Sequence, residues 1–475
     1  MASSPVVSLP PVTSSTVVPR RRVDVAQPRT YRGLARPPGP RNFPVVGGAL
    51  DFRGDPLAAI TRYCALYGDV VFVDLLGSHT YLLSHPDDIA DLLVGAHAKV
   101  MKDEPTHELS RFVGRGLLTS EGRLWRRQRK IAAPTFQRTQ IGKFADTMVD
   151  ATWNRLSRLR TGGVHDVHAD MMVVTLEIVL RTMFGETTLP DTDRVGEIVE
   201  TLMTGFADNY LTWRRVVPRA LRRKAHAVLD DATTQLDEIL YGLIRGRREA
   251  GGGGDDLLGH LLAARDDDGV GMSDRQLRDE VATVFLAGHE TTALALSYAL
   301  WLLARDPLVQ RRVHAEVDEV LGSRRATLDD LSKLPLCDAV IKEAMRLYPP
   351  AYLVGREPLQ DIEIAGWTLP RGCQVLCAQW VVHRDARWFP DPLVFDPDRW
   401  RDGRTENLPR FAYFPFGGGT RICVGNHFAL LEATLVLATV MQHLSVAPDP
   451  THELGLMATV TLRPKDGVRV QVQPR

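Results

Sequence analysis

A long helical pattern without proline, from Ser273 to Asp306, restricts the possible folds more than any other feature of the chain. Ser273-Asp274-Arg275-Gln276 has the form of a capping box, which marks the start of a helix. About 32 residues at a rise of 1.5 Å each give a helix roughly 48 Å long, enough to cross a whole domain. The sequence therefore predicts a central helix against which the rest of the chain packs.

The middle of this predicted helix has an unusual composition, Ala287-Gly288-His289-Glu290-Thr291-Thr292. A glycine inside a helix costs about 1 kcal/mol relative to alanine, so it needs a reason. One reason is a large flat group packed against Ala287 and Gly288, with Thr291 bonding back to a carbonyl one turn earlier. A contact between two helices through small residues explains the glycine equally well. His289 is interpreted as a packed or exposed histidine without a chemical role.

A glycine-rich loop near the C-terminus carries one cysteine: Phe416-Gly417-Gly418-Gly419-Thr420-Arg421-Ile422-Cys423-Val424-Gly425. An apolar helical pattern over 428–440 follows it directly. A helix N-terminus, backbone N–H groups and a cation favour the thiolate form of a cysteine, and glycines let the backbone approach closely. The loop therefore indicates a place to hold a thiolate. For Cys423 taken alone, a buried thiol beside a glycine turn is the alternative.

Composition and charge exclude several classes of protein. The 475 residues are 44% hydrophobic, which is ordinary for a globular chain with a large core. Because 58 Lys and Arg balance 58 Asp and Glu, we expect no nucleic-acid partner. The five cysteines have no disulfide-like spacing, which indicates a reducing compartment. Cys373 and Cys377 have the spacing of half a metal site, but no second pair accompanies them, so we interpret them as core thiols. No apolar run is long enough to predict a membrane span.

The chain divides into a leader and one large domain. Residues 1–36 are predicted to be a disordered leader, because residues 1–22 are rich in Ser, Pro and Val and contain no acid. A transit peptide is the alternative interpretation of this segment. A proline- and glycine-rich run then begins at Pro37. Residues 37–475 are predicted to form a single domain, mainly α with small peripheral β-sheets, including a hairpin over 68–83.

The spacing F-x-x-G-x-R-x-C-x-G in the cysteine loop resembles the haem-binding loop of the cytochrome P-450 family. The segment A-G-x-E-T-T resembles the oxygen-activating segment of the same family. The resemblance implies a long central helix over haem b, with the thiolate of Cys423 as the axial iron ligand. It also implies that Thr291 hydrogen-bonds dioxygen and that Glu290 takes part in proton delivery. Further haem contacts at matching positions are Ala287, Gly288, Phe416 and Gly425.

The two carboxylates of a haem need donors, for which arginine is well suited. Trp125 and Arg129 match a W-x-x-x-R pattern of the family and lie on one face of a predicted helix. The resemblance implies that both face a haem propionate, and that Arg356 and Arg421 occupy further propionate-binding positions. A solvated side chain is the alternative for any one of these arginines.

Glu343 and Arg346 form an E-x-x-R pair whose members share one face of a predicted helix. Most such pairs are solvated surface pairs worth under about 1 kcal/mol. The resemblance adds Arg399 as a third member and implies a buried network under the haem loop. We therefore assign Glu343, Arg346 and Arg399 to folding and cofactor seating.

The resemblance implies a haem-thiolate monooxygenase that inserts one oxygen atom of O2 into a lipophilic small molecule. A terpenoid, polyketide or fatty-acyl compound of secondary metabolism suits the mostly apolar residues at the substrate positions. These residues are Leu117, Leu118, Ala287, Ala351, Tyr352, Leu353 and Met457. Ordinary core packing is the alternative explanation for them. The type of oxidation, whether hydroxylation, epoxidation or coupling, stays open.

The electrons are expected to come from a separate protein, because no flavin- or iron–sulfur-binding segment is recognised in the sequence. The expected donor is a ferredoxin or flavodoxin with its NAD(P)H-dependent reductase, in the cytoplasm. Arg126, Arg127 and Lys130 lie elsewhere on the helix of Trp125 and are predicted to meet an acidic donor. The alternative functions are a peroxide-using or isomerising haem-thiolate enzyme and a non-catalytic haem sensor.

Overall fold

The structure is a computed structural model that describes residues 30–31, 34–40, 48–52, 54–75, 77–159, 162–185, 192–208, 223–265 and 269–475. Most of the predicted leader lies outside these residues, as do residues 41–47 of the proline- and glycine-rich run. Within the described part of the leader, the short strands β1 (Thr30–Tyr31) and β2 (Leu34–Ala35) pair antiparallel.

Helices make up most of the described chain. Their bounds are α1 (Ala49–Phe52), α2 (Pro56–Tyr67), α3 (Pro86–Ala90), α4 (Glu104–Glu108), α5 (Ser110–Val113), α6 (Gly122–Ala132), α7 (Arg138–Ile141), α8 (Ala145–Leu159), α9 (Val167–Met183), α10 (Thr192–Phe206), α11 (Arg223–Glu249), α12 (Leu257–Ala263), α13 (Asp274–Arg305), α14 (Pro307–Leu321), α15 (Pro335–Leu347), α16 (Gln379–Val382) and α17 (Asn426–His443).

The predicted central helix is α13, and its ends follow from local sequence. The Ser273 side chain accepts from the Gln276 N–H while the Gln276 side chain accepts from the Ser273 N–H, which completes the predicted capping box. The helix ends at Arg305, directly before the Asp306-Pro307 step that starts α14. Helices α9, α11, α15 and α17 all pack against α13. The predicted central position of this helix is therefore confirmed.

The strands form small sheets at the periphery. Their bounds are β3 (Val70–Leu75), β4 (Ser78–Leu83), β5 (Val100–Met101), β6 (Gly163–Asp166), β7 (Val354–Pro358), β8 (Ile362–Ile364), β9 (Trp367–Leu369), β10 (Gln374–Cys377), β11 (Leu444–Pro448), β12 (Leu456–Ala458), β13 (Leu462–Pro464) and β14 (Arg469–Pro474).

The largest sheet has the order β3-β4-β10-β7-β5, and β4–β10 is its parallel pair. Strands β3 and β4 are the predicted hairpin. A second sheet has the order β11-β14-β6, and the pairs β8–β9 and β12–β13 stand alone. The predicted class, mainly α with small peripheral β-sheets, is confirmed.

Two apolar cores hold the described elements together. The larger one lies among the helices and includes most of α13 and α17, while the smaller one lies under the five-stranded sheet. Among the described residues, no helix combines the length and the apolar character that crossing a bilayer requires. The helical core and the large sheet together position the loop of Cys423.

Candidate active site

The loop that carries Cys423 is fixed by backbone contacts. The Cys423 N–H donates to the Phe416 carbonyl at 3.0 Å, which closes the loop on itself. Gly419 has φ +67°, and a Cβ there would lie 1.9 Å from the carbonyl oxygen of Leu93, so only glycine fits. Gly425 is the N-cap of α17. Cys423 therefore lies just before the positive end of a long helix.

Cys423 differs from the other cysteines in its exposure. Its side chain is exposed, whereas the remaining cysteines are buried, namely Cys64, Cys337, Cys373 and Cys377. Desolvation by nearby protein atoms raises the pKa of the Cys423 thiol, while the Gly425 N–H, Arg129 and Lys102 act in the opposite direction. An accessible sulfur with an amide and two cations nearby is suited to ligate a metal as thiolate.

Four cationic side chains beside this loop form a group, here called the cation cluster: Lys102, Arg129, Arg356 and Arg421. Arg129 in α6 donates from Nη1 to the Ile422 carbonyl at 2.8 Å. Arg421 lies over the Trp125 ring, with Cζ 3.9 Å from the ring centroid. Helix α6 is thereby attached to the cysteine loop through the predicted residues Trp125, Arg129 and Arg421.

Lys102 directly follows β5, and Arg356 lies in β7, the strand that pairs with β5. Met101 in β5 lies opposite Glu357 in β7, and this antiparallel register places Lys102 beside Arg356. Arg356 is 5% exposed, and its Nη1 donates to the Gly355 carbonyl. No sequence pattern indicated Lys102, because its position next to Arg356 depends on a strand register that no local pattern encodes.

The cluster contains more cations than carboxylates. Glu121 accepts from the Lys102 N–H at 2.9 Å and pairs with Arg421, and Asp103 is the other acid nearby. Burial and the charges of Arg356 and Arg421 lower the pKa of Lys102 to about 7. Burial likewise lowers the pKa of each of the three arginines. Such an excess of cationic donors is suited to bind an anionic group. The two carboxylates of a haem are a group of this kind.

The three residues predicted as a structural network meet in one buried group, here called the charged brace: Glu343, Arg346 and Arg399. Glu343 accepts from Nε and Nη2 of Arg346 at 2.8 and 2.7 Å and from Nε of Arg399 at 2.9 Å. The remaining Arg346 donors reach the carbonyls of His383, Pro392 and Val394. Burial alone would raise the pKa of Glu343, but Arg346 and Arg399 hold it below its ordinary value.

One narrow face of α13 is open within an otherwise buried helix. From Leu277 to Ala304 every residue is buried except four, which are Val284, Ala287, Gly288 and Thr291. Their spacing of three, four and seven residues puts them on one side of the helix. The Thr291 hydroxyl donates to the Ala287 carbonyl at 2.9 Å, which is the backward bond expected from the sequence. This open face is mostly apolar, with one hydroxyl.

Gly288 also permits a close contact between helices. A Cβ on Gly288 would lie 3.1 Å from Cγ2 of Val179 in α9. Thr175 of α9 donates to the carbonyl of His289 at 2.9 Å, so α9 bonds to α13 at the same level. The contact between two helices, which was the alternative interpretation of the glycine, therefore applies to Gly288, while Ala287 remains exposed on the open face.

Glu290 is bonded to the β12–β13 pair and the turn that joins it. Its Oε1 accepts from Thr461 Oγ1 at 2.5 Å and from Arg463 Nε at 2.7 Å. Burial would raise the pKa of Glu290, but Arg463 and Thr461 hold it below its ordinary value, so the carboxyl group is ionised. Arg463 also pairs with Glu200 of α10. No sequence pattern indicated Arg463 or Thr461, because both approach α13 from a distant part of the chain.

The predicted substrate residues fall into two groups. Leu117 and Leu118 are half-buried in the segment between α5 and α6, and Ala351, Leu353 and Met457 are also half-buried. Tyr352 is buried, and its hydroxyl donates to the Thr459 carbonyl at 2.8 Å. Tyr352 thus connects two predicted wall segments.

Comparisons with known proteins cover nearly the whole chain. The family model described as Cytochrome P450 matches residues 37–471. Cyclooctatin synthase of Streptomyces melanosporofaciens is 34% identical over 435 residues, covering 90% of this chain and 94% of that protein. Pentalenene oxygenase of Streptomyces avermitilis is 32% identical over 444 residues, covering 92% and 97%. The crystal structure of the cytochrome P450DA heme domain is 27% identical, with a TM-score of 0.84, covering 93% and 98%.

Proposed function

Because this chain belongs to the cytochrome P450 family and is a haem-dependent monooxygenase, we propose that its substrate is a lipophilic terpenoid of secondary metabolism. The observation that carries this proposal is the open face of α13, where Val284, Ala287 and Gly288 offer an apolar surface. Two relatives that are 34% and 32% identical to this chain, cyclooctatin synthase and pentalenene oxygenase, support the terpenoid class. The half-buried Leu117, Leu118, Leu353 and Met457 then form the other walls.

The cofactor is haem b, which supplies, when bound, the iron centre where O2 is reduced and one oxygen atom is transferred. We infer that the thiolate of Cys423 would ligate the haem iron. Support comes from the exposure of this sulfur and from the Gly425 N–H and the cations Arg129 and Lys102 near it. A fixed loop keeps the sulfur in place because Phe416 and Gly419 allow little freedom.

The haem carboxylates would be held by the cation cluster. Trp125, Arg129, Arg356 and Arg421 are the donors expected from the sequence, and Lys102 adds a fifth group at the same place. The ionised carboxylates would raise the pKa of Lys102 from about 7, because an anion favours the charged amine. Retention of the cofactor therefore depends on these cations as well as on Cys423.

Protons would reach the reacting centre through Thr291 and Glu290. The Thr291 hydroxyl lies on the open face and can accept a hydrogen bond while it donates to Ala287. Glu290 is ionised while it is bonded to Arg463, so it must first take up a proton before it can deliver one. A change of partner away from Arg463 is the step that makes Glu290 a proton donor.

Members of this family receive electrons from a redox partner, which we infer to be an acidic ferredoxin or flavodoxin in the cytoplasm. Arg126 and Lys130 are exposed and Arg127 is half-buried on α6, the helix that attaches to the cysteine loop through Arg129. Attraction between these cations and an acidic surface speeds encounter at low salt. Reversing the charges of Arg126 and Lys130 should slow reduction at low salt and have a much smaller effect at high salt. Equal rates at low salt would contradict this docking surface.

Turnover with isotopically labelled dioxygen tests the proposed activity. The purified enzyme is supplied with NAD(P)H, a ferredoxin and its reductase, and a panel of cyclic terpene hydrocarbons, polyketides and fatty acids. We expect a terpene product that contains one labelled oxygen atom and forms only with the electron donor. Product formation with peroxide alone would favour the peroxide-using alternative. Oxidation of NAD(P)H without any product across the panel would favour a haem sensor.

A further inference from the structure

The segment between α5 and α6, residues 114–121, contains no helix or strand, yet it is attached firmly to α13. It carries Leu117 and Leu118, which face the apolar core. Its attachment consists of three successive side chains in the first turns of α13, here called the α13 clasp: Arg278, Asp279 and Glu280. Each of them is less than 10% exposed.

Each member of the clasp bonds to a backbone group at this connection. Arg278 Nη2 donates to the Phe112 carbonyl at 2.5 Å. The Arg115 N–H donates to Asp279 Oδ2 at 2.8 Å, and the Leu117 N–H donates to Glu280 Oε2 at 3.0 Å. Because the three contacts fall in succession at the end of α5 and at residues 115 and 117, they fix the path of the segment and not just one point on it.

Two glycines let the segment approach this closely. Gly114 has φ +68°, and a Cβ there would lie 1.8 Å from Asp279 Oδ1. A Cβ on Gly116 would lie 2.2 Å from Thr283 Oγ1 and 2.3 Å from the Asp279 carbonyl oxygen. A side chain at either position would push the segment away from α13.

The clasp lies next to the open face of α13. Glu280 is one helical turn before Val284 and two turns before Ala287, so all three share one side of the helix. We propose that the α13 clasp is a positioning device that holds Leu117 and Leu118 against the open face and thereby limits the size of molecule that reaches it. This inference rests on the proposed function, which makes the open face the substrate site.

Glu280 acts here as a neutral acceptor. Burial and the adjacent Asp279 raise the pKa of Glu280 to about 8, so the carboxyl group is mostly protonated at neutral pH. A glutamine at this position keeps a carbonyl oxygen for the Leu117 N–H, whereas a leucine of similar size does not. Glu280→Gln should therefore preserve the position of the segment and Glu280→Leu should release it.

The first measurement is amide hydrogen exchange of the haem-loaded enzyme over residues 112–120. Losing one hydrogen bond should make the Leu117 amide exchange about tenfold faster in Glu280→Leu. Gly116→Ala should act in the same direction by steric displacement, without changing any acid. Glu280→Gln should exchange at the wild-type rate.

The second measurement is access to the haem, followed by the spectral change on binding imidazole and the bulkier 4-phenylimidazole. Glu280→Leu should raise the association rate of 4-phenylimidazole about tenfold relative to that of imidazole, the factor expected from the loss of one hydrogen bond. Gly116→Ala should raise it in the same direction by displacing the segment. Glu316→Leu is the matched control, because Glu316 also accepts backbone N–H groups, from Leu336 and Cys337, at a distant place. It should change neither readout.

Unchanged exchange over 112–120 in both test variants, or unchanged relative access despite faster exchange, would overturn the proposal. An absence of any imidazole spectral change in the wild-type protein would instead contradict the proposed haem site, and would leave the exchange result valid. The two failures are thereby distinguished.

Discussion

In the charged brace the buried charges satisfy one another, whereas in the cation cluster they do not. Glu343 accepts five hydrogen bonds, from Arg346, Arg399, Asp396 and Trp400. In the cluster, four cations share the carboxylates of Asp103 and Glu121, and the pKa of Lys102 falls to about 7 through burial and neighbouring cations. The brace is thus complete within the protein, whereas the cluster has an excess of cations that the proposed haem carboxylates would balance.

The difference separates stability from cofactor binding. Removing one member of a satisfied buried network leaves an uncompensated charge and destabilises the fold. Removing one cation from a group of like charges relieves their repulsion, so the fold is not destabilised. The affinity for the bound anion should fall instead. Mutations in the brace should therefore lower the free energy of unfolding, and mutations in the cluster should speed the loss of haem.

The largest effect is expected from Arg346→Leu in the brace. The substitution leaves Glu343 buried with Arg399 as its remaining guanidinium partner, and the carbonyls of His383, Pro392 and Val394 lose a donor. We expect the free energy of unfolding to fall by about 3–5 kcal/mol. Urea unfolding followed by far-UV circular dichroism measures this loss.

Arg312→Leu is the matched control for that change. Arg312 also forms a two-bonded pair, with Asp398, but this pair is largely exposed. It should cost under about 1 kcal/mol. If Arg346→Leu were as mild as Arg312→Leu, the brace would be no more than a surface pair.

A smaller effect, on a different measurement, is expected from Lys102→Met in the cluster. The variant should keep its helical content but lose haem about ten- to a hundredfold faster, because a charge-assisted hydrogen bond is worth about 1.5–3 kcal/mol. Transfer of haem to an excess of apomyoglobin measures the rate of loss.

Haem dimethyl ester sharpens this test because its carboxylates carry no charge. Wild type and Lys102→Met should release the ester at equal rates. If Lys102→Met accelerated the release of haem and of its ester by the same factor, Lys102 would not act through the carboxylates.

An effect that is small near pH 5 and grows with pH concerns a third buried group, Glu432 in α17, to which the described residues offer no ion pair. Burial raises its pKa well above the ordinary value of 4.5, against a small opposing contribution from the Thr292 hydroxyl. The folded state therefore holds a proton that the unfolded state releases, so stability falls as the pH rises above 4.5.

Glu432→Gln should remove this slope. Its free energy of unfolding should equal that of the wild type at low pH and exceed it progressively at higher pH, by at most about 1.4 kcal/mol per pH unit. Unfolding midpoints between pH 5 and 8 measure the difference. Parallel pH profiles would mean that Glu432 is ionised in the folded protein.

The parts of the fold that local sequence controls could be predicted. The capping box at Ser273 and the step before Pro307 set the ends of α13, because both act through neighbouring backbone groups. The pairing of Glu343 with Arg346 follows from their spacing on one helix. The family resemblance added Arg399, which no spacing could supply.

The missed residues depend on contacts between distant segments. Lys102 reaches Arg356 through the β5–β7 register, and Arg463 reaches Glu290 from β13. The side chains of the α13 clasp bond to backbone groups, which every residue type has, so the sequence of the bonded segment does not reveal these contacts. Only Gly114 and Gly116, which the close approach requires, indicate them. Strand register and loop path are decided by the whole fold, so sequence patterns do not encode them locally.

The carbon monoxide spectrum of the reduced haem protein tests the assignment of Cys423 most directly. Wild type should show the red-shifted band of thiolate-bound ferrous haem, because Cys423 supplies the thiolate. Cys423→Ser should lose that band while the cation cluster still binds the haem carboxylates. A Cys423→Ser protein that keeps the red-shifted band would contradict the assignment of Cys423 as the iron ligand.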